Sequence, residues 1–149
     1  MVVPFDHDFV REAAERMSRL SQDATPVWGA MTPGQMIAHL RESVEYSMGR
    51  GPKVRIRANW FTRRILAPLY LNGLLPLPRN AESLYGGSGR AGVRMDTEAL
   101  WAVVDEYLGL VHTGELDPAA HPRFGDIGVE GWGKMHVVHF EHHMRQFGV

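Results

Sequence analysis

The sequence predicts an all-α protein: a four-helix bundle whose second and third main helices are joined by a long connection. Four segments repeat apolar residues at the three-and-four spacing of an amphipathic helix. No segment alternates apolar and polar residues as a half-buried strand does. The 149-residue chain has the size of one domain, so we expect a single helical bundle over residues 1–149.

Composition narrows the classes of function. The formal net charge is −1, so we expect no nucleic-acid partner and no membrane partner. The lack of cysteine excludes disulfides, cysteine-ligated metals and a protein thiol nucleophile. No apolar run approaches the ~20 residues that span a bilayer, and the N-terminus lacks the pattern of a secretory leader. We therefore expect a cytoplasmic protein.

The first predicted helix spans about Asp6 to Leu20. Its apolar residues recur every three or four positions, with charged residues between them. The segment 23–26, which ends in proline, breaks the pattern. We therefore expect one face of this helix to lie in the core.

The second predicted helix has the clearest start in the chain. Thr32 stands at the N-cap, Pro33 at the first helical position and Gln35 at the third, which is a capping box. Gly49 follows the helix and favours its end there. His39 lies next to the buried stripe of this helix. That stripe consists of Met36, Ile37, Leu40, Val44 and Met48.

The connection from Lys53 to Arg94 is less regular. Within it, Ala58–Leu71 is predicted to be an amphipathic helix that Pro68 kinks or ends. Leu75–Asn80 is predicted to be extended and Gly86–Gly89 to be a flexible loop. Most arginines of the connection are expected to be solvated, but such a basic segment could also receive an anionic substrate. These arginines are Arg55, Arg57, Arg63, Arg64, Arg79, Arg90 and Arg94.

A third main helix is predicted from a cap at Asp96 or Thr97 to about His112. Gly114 then ends it. In the loop that follows, His121 is expected to order the backbone through its ring nitrogens rather than to bind a metal. The residues expected to face inward on this helix are Leu100, Trp101, Val104, Leu108 and Val111.

The final predicted helix, about Trp132 to Phe147, holds four of the eight histidines. His139 and His143 are four residues apart, so their rings leave the same face, a common way to offer a metal two imidazoles. That face also carries apolar residues, so these rings must be metal-bound or hydrogen-bonded in the core. Both alternatives stay open at this stage. His136 lies one turn earlier and is ambiguous, whereas His142 lies off the face and is expected to be solvated or to support the ligands.

Three motifs together resemble the DinB/YfiT-like superfamily, and within it a branch of unknown function. They are residues 28–40, the loop His121–Gly125, and residues 132–147 with their H-x-x-x-H pair. The resemblance covers nearly the whole chain. It implies an up-down-down-up four-helix bundle and a divalent metal, zinc or nickel, held by three histidines. Carried over by position, these ligands are His39, His139 and His143.

The resemblance also implies an enzyme, because three imidazoles with open coordination positions are typical of catalytic rather than structural metal sites. Since the chain has no cysteine, the nucleophile would be a low-molecular-weight thiol or water. We expect transfer of such a thiol to an electrophilic small molecule, or hydrolysis. Candidates for supporting the ligands are Gln35, His136, His142 and Gln146, and no catalytic residue is assigned.

The alternative is a non-enzymatic bundle, either metal-binding or a stress-associated dimerising module. In either case we expect residues 53–94 to lie over or beside the mouth of the site, since they follow the helix that bears His39. Trp60, Phe61 and Tyr70 are expected to lie in a homodimer interface or in the core.

Overall fold

The regular secondary structure of the described residues is helical, apart from an isolated β-bridge between His121 and Gly125. The structure, a computed structural model, describes residues 1–79 and 91–149. The all-α class predicted from the sequence is confirmed. The predicted loop Gly86–Gly89 lies outside the described residues, as do Asn80 and Arg90. The helices are α1 (His7–Met17), α2 (Pro33–Ser47), α3 (Ala67–Leu71), α4 (Thr97–Thr113) and α5 (Gly128–Gln146), with a π-helical turn at Thr62–Leu66.

Carboxylate caps begin α1 and α4. Asp6 accepts two backbone N–H groups from the first turn of α1, at 3.1 and 3.0 Å. The cap of α4 is Asp96, which accepts the N–H of Ala99 at 3.0 Å. Because each cap satisfies backbone donors that have no partner within the helix, it fixes where the helix starts. The end of α1 is Met17, three residues before the predicted end at Leu20.

The predicted capping box forms at the start of α2. The backbone N–H of Gln35 donates to Thr32 Oγ1 at 3.2 Å, and the N–H of Thr32 donates to Gln35 Oε1 at 2.9 Å. This reciprocal pair fixes the first turn of the helix that carries His39.

The last helix is longer than predicted, because α5 begins at Gly128 rather than near Trp132. Glycines in this first turn obscured the helical pattern in the sequence. At Gly131 the lack of a side chain has a packing reason, since an added Cβ would lie 2.6 Å from the Cβ of Ile127. None of the described helices has the length and apolar character needed to cross a bilayer.

The helix predicted at Ala58–Leu71 is observed from residue 60 to residue 71. The helix continues through Pro68, but it is irregular in the turn before this proline. Proline has no N–H to donate to the carbonyl one turn earlier, and the π-helical turn that precedes Pro68 widens the backbone at this point. Trp60 and Phe61 are 71% and 52% exposed, so neither belongs to the core. Tyr70 is half-buried and stacks on Phe124, with ring centroids 5.8 Å apart. The homodimer interface stays a prediction.

The core consists of a large apolar cluster and a smaller one beside it. The large cluster fills the space where α2 packs against α4 and α5, and where α1 packs against α5. On α4 the predicted inward face needs correction, because Val111 is exposed and Tyr107 is almost completely buried. The smaller cluster joins α3 to α5 and includes Leu71, Phe124 and Trp132. These contacts place α5 at the centre of the packing.

Gly34→Ala is expected to lower the free energy of unfolding by about 1–3 kcal/mol. The new methyl group would lie 1.9 Å from the carbonyl oxygen of Val93, so this segment would have to leave the first turn of α2. Gly109→Ala in α4 is the matched control. Its methyl group would meet no atom within 4 Å, and we expect a gain of about 0.5–1 kcal/mol from helix propensity. Urea unfolding tests both, and a Gly34→Ala protein as stable as wild type would contradict the close approach of Val93.

Candidate metal centre

Three histidines meet where α2 packs against α5. His39 lies on α2, and His139 and His143 lie one turn apart on α5. Their exposed fractions are only 6%, 8% and 6%. A buried imidazole needs a partner for its nitrogens, because an unpaired polar group in the interior costs free energy. The contacts of each ring therefore reveal what this cluster can do.

The Nε2 atoms of the three rings converge. His139 Nε2 lies 2.8 Å from His39 Nε2 and 3.1 Å from His143 Nε2. One possible ligand atom from each ring lies within 4.8 Å of the others. Zinc–nitrogen bonds of ~2.0–2.1 Å in a tetrahedron separate the nitrogens by about 3.4 Å. Small ring movements would reach that spacing, so the three residues could hold a metal ion. The predicted convergence is confirmed, and metal binding itself stays a prediction.

Hydrogen bonds around Gln146 decide which nitrogen of His143 carries the proton. The Gln146 amide Nε2 donates to the carbonyl oxygen of Trp28 at 3.1 Å, and a carbonyl can only accept. The other end of the amide, Oε1, therefore faces His143 Nδ1 at 2.8 Å. Because Oε1 is an acceptor, His143 Nδ1 must be the donor. The lone pair of His143 Nε2 is then free to point at the centre of the cluster.

Ser43 can accept a hydrogen bond from His139 as Gln146 does from His143. Its Oγ lies 3.2 Å from His139 Nδ1, and Ser43 is completely buried on α2. A hydroxyl oxygen can accept the Nδ1–H, which leaves His139 Nε2 with a lone pair. With Ser43 as the acceptor, the lone pairs of His139 Nε2 and His143 Nε2 would face each other, and a cation between them would remove their repulsion. Sequence reasoning missed Ser43, although its position four residues after His39 was a signal that it shares the same face of α2.

Burial keeps these imidazoles neutral near pH 7. It lowers the pKa of His39 to about 4, with a smaller contribution from His142. It lowers the pKa of His143 to about 3, with His39 as the next cause. The pKa of His139 is well below its usual value, first because of burial and then because of the neighbouring histidines. Neutral imidazole is the form that binds metals, so no deprotonation is needed at neutral pH.

His136, which was ambiguous in the sequence, is a core residue outside the cluster. It is completely buried, and its Nε2 lies 3.0 Å from Ser47 Oγ. Ser47 donates its hydroxyl to the carbonyl of Val44 at 2.7 Å, so it accepts the Nε2–H of His136. Among the described residues, His136 Nδ1 has no hydrogen-bond partner, and neither has the buried Tyr107 hydroxyl. His136 thus carries its proton on the opposite nitrogen from His143.

The loop before α5 is ordered by His121, as predicted. Its Nδ1 accepts the backbone N–H groups of Arg123 and Phe124, both at 3.2 Å. The ring also stacks on Phe124, with centroids 4.6 Å apart. The β-bridge to Gly125 closes the loop. These contacts hold a tight turn beside the three-histidine cluster.

A cavity of about 270 Å³ opens onto the cluster. Part of its wall comes from the segment 57–79, so the expectation that the connection after α2 lies beside the site is confirmed for these residues. His142 also lines the cavity and is half-buried, with its ring centroid 5.0 Å from that of His143. Of the other residues expected to support the ligands, Gln146 does contact His143, whereas the Gln35 amide oxygen serves the capping box.

The fold and the three-histidine cluster define a helical protein with a candidate metal centre beside a small cavity. The chain belongs to the family described as protein of unknown function DUF1569, whose model matches residues 5–148. That description names no activity. No curated protein and no solved structure matches the chain.

Substitutions at Gln146 test the tautomer of His143. Gln146→Leu removes the acceptor at His143 Nδ1, and we expect zinc affinity to fall by about 10–100-fold. Gln146→Glu is the matched control, since it keeps an acceptor there and should retain most of the affinity. Competition with a chromogenic zinc chelator measures both. Equal losses in the two variants would contradict the assignment of the donor to Nδ1.

The stability of the metal-free protein should fall as the pH drops below about 6.5, in part because of His136. Burial lowers the pKa of His136 from 6.5 to about 3, so between these values the unfolded chain binds a proton that the folded chain does not. Each such histidine lowers the free energy of unfolding by up to about 1.4 kcal/mol per pH unit on acidification.

His136→Phe removes the histidine that resists protonation, so its free energy of unfolding should depend less steeply on pH than that of the wild type. The test is urea unfolding in the presence of a chelator between pH 7.5 and pH 4.5. Identical slopes in the two proteins would show that His136 does not resist protonation in the folded state.

Proposed function

We propose that this protein is a metal-dependent enzyme of the DinB/YfiT-like type, which transfers a low-molecular-weight thiol to an electrophilic small molecule. Its metal, zinc or nickel, would be held by His39, His139 and His143. The observation that carries the proposal is the convergence of three buried, neutral imidazoles at the wall of a cavity. We propose further that α1, α2, α4 and α5 form an up-down-down-up four-helix bundle. The packing of α2 and α1 against α5 supports that arrangement.

The donor set favours zinc or nickel. Imidazole nitrogen suits both ions, and three protein ligands leave coordination positions for a small molecule. A structural zinc site normally has four protein ligands, and the cluster supplies three among the described residues. Hydrogen bonds from His139 Nδ1 to Ser43 and from His143 Nδ1 to Gln146 are the kind that orient metal-bound histidines. The site therefore fits a reactive metal better than a structural one.

The cavity supplies the space that a substrate needs. Its volume of about 270 Å³ is close to the lower end of small-molecule sites. A bound divalent metal supplies Lewis acidity, which lowers the pKa of a thiol or a water molecule. Since the chain has no cysteine, the thiol must come from a small molecule. The residues around the cavity would bind and orient that molecule.

His142 is suited to move a proton in this cavity. It lines the cavity, and its ring nitrogens have no hydrogen-bond partner among the described residues. Burial lowers the pKa of His142, with Arg79 and Arg145 as further causes. The ring is therefore neutral at pH 7 and can accept a proton at a ring nitrogen from a bound molecule.

Metal analysis tests the binding step. Wild-type protein loaded with zinc or nickel should hold about one ion per chain, and added metal should raise its melting temperature, because a ligand that binds only the folded state stabilises it. His143→Gln should lose most of the metal and the thermal shift. His142→Gln is the matched control on the neighbouring residue, and it should keep the metal. Equal loss in both variants, or no metal in wild type after reconstitution, would contradict the proposed site.

The reaction is tested with the loaded protein, a panel of low-molecular-weight thiols and a chromogenic aryl halide. Thiol-dependent turnover that disappears in His143→Gln is the expected result. A protein that binds metal but has no turnover would support the non-enzymatic alternative. Cleavage of an ester without any thiol would instead indicate a hydrolase.

A further inference from the structure

The charged residues that line the cavity are all cationic. Arg57, Arg79 and Arg123 lie in its wall, and no aspartate or glutamate does among the described residues. None of these arginines forms an ion pair with a carboxylate in the described part of the chain. By contrast, Arg16 pairs with Glu141 at 2.7 Å. The guanidinium groups at the cavity therefore keep their donors for another partner.

Two of these arginines are brought together by backbone contacts. The N–H of Arg57 donates to the carbonyl of Pro122 at 2.7 Å, which ties the connection after α2 to the loop before α5. In that loop the N–H of Arg123 donates to His121 Nδ1 at 3.2 Å. The backbone is thus fixed at both positions, although the two side chains are exposed. The fold therefore holds the backbones of two cavity-lining arginines next to each other.

The third arginine is positioned by an aromatic ring. The guanidinium carbon of Arg79 lies 4.4 Å from the centroid of the Trp28 ring, a cation–π distance. The carbonyl of Trp28 accepts the hydrogen bond from Gln146, which in turn contacts His143. Arg79 is therefore held next to the group that supports the candidate metal ligand.

The rest of the wall is largely apolar. Leu66, Tyr70, Leu77, Phe124 and Met135 contribute to it. Three cations beside an apolar surface favour a ligand that has both an anionic group and a hydrocarbon part. Arginine suits carboxylate and phosphate groups, because its planar donors match two oxygens at once.

We propose that this cavity binds a small organic anion, whose carboxylate or phosphate group pairs with Arg57, Arg79 and Arg123 while its apolar part lies on the wall formed by Leu66 and Phe124. This proposal rests on the proposed function in one respect, because it takes the bound anion to be the substrate of the metal site. Anion binding itself does not depend on the metal. The like charge of the three arginines also raises the local concentration of anions at the cavity.

The test is calorimetric titration of the metal-free protein with benzoate, phenylphosphonate and the uncharged benzyl alcohol. We expect at least one anion to bind about tenfold or more tightly than the alcohol, and added salt to weaken that binding. The preferred anion distinguishes a carboxylate site from a phosphate site. Equal binding of the alcohol and both anions would overturn the proposal, and so would a lack of binding by both anions.

Substitutions then locate the site. Arg57→Gln, Arg79→Gln and Arg123→Gln should each weaken binding of the preferred anion by about tenfold, and the double variant of Arg57 and Arg123 should lose it. Arg64→Gln is the matched control, because Arg64 is exposed on the π-helical turn and does not line the cavity. Wild-type affinity in all three cavity variants, with folding verified by circular dichroism, would overturn the assignment.

Metal uptake separates this proposal from the function proposed above. Zinc stoichiometry should be unchanged in the three arginine variants, because none of these residues belongs to the three-histidine cluster. Anion binding by a protein that takes up no metal would contradict the metal site and support the anion site. Metal uptake by a protein that binds no anion would support the metal site and contradict the anion site.

Discussion

Three neutral imidazoles are packed between α2 and α5, and their hydrogen bonds constrain much of the surrounding chain. Because the amide Nε2 of Gln146 donates to the carbonyl of Trp28, its Oε1 accepts from His143 Nδ1, so this histidine is linked to the segment before α2. The backbone of the same segment is fixed too, since the N–H of Val27 donates to the carbonyl of Gln146 at 2.7 Å. The segment before α2 is thus ordered by the end of α5, and Trp28 in turn positions Arg79.

The three residues differ in how far the sequence could predict them. His139 and His143 share a helix, so their spacing alone places them on one face. His39 is 100 residues away from His139, and no local pattern fixes which helices pack together. The resemblance to a family supplied that pairing. Gln146 was a candidate because of its position, but its acceptor role depends on the Trp28 carbonyl, a contact 118 residues apart in sequence.

Helix starts were predictable where the signal is local, and less so where packing decides. The capping box at Thr32 and the cap at Asp96 form as predicted because they involve only three or four consecutive residues. The start of α5 was placed too late, since its early glycines have poor helix propensity and tertiary contacts compensate for it. Trp60 is exposed despite its size, which local hydrophobicity does not reveal.

The candidate metal ligands lie on packed helices, whereas the cavity arginines lie on connecting segments. The three imidazoles project from helices that pack in the core, so their positions are held by the same contacts that stabilise the fold. The arginines instead come from irregular segments: a backbone hydrogen bond from Arg57 to Pro122 joins the segments of Arg57 and Arg123, and Arg79 follows α3. Loops tolerate sequence change better than core helices do. On the functions proposed here, the metal site on α2 and α5 would stay constant while substitutions in these segments change which small anion the cavity accepts.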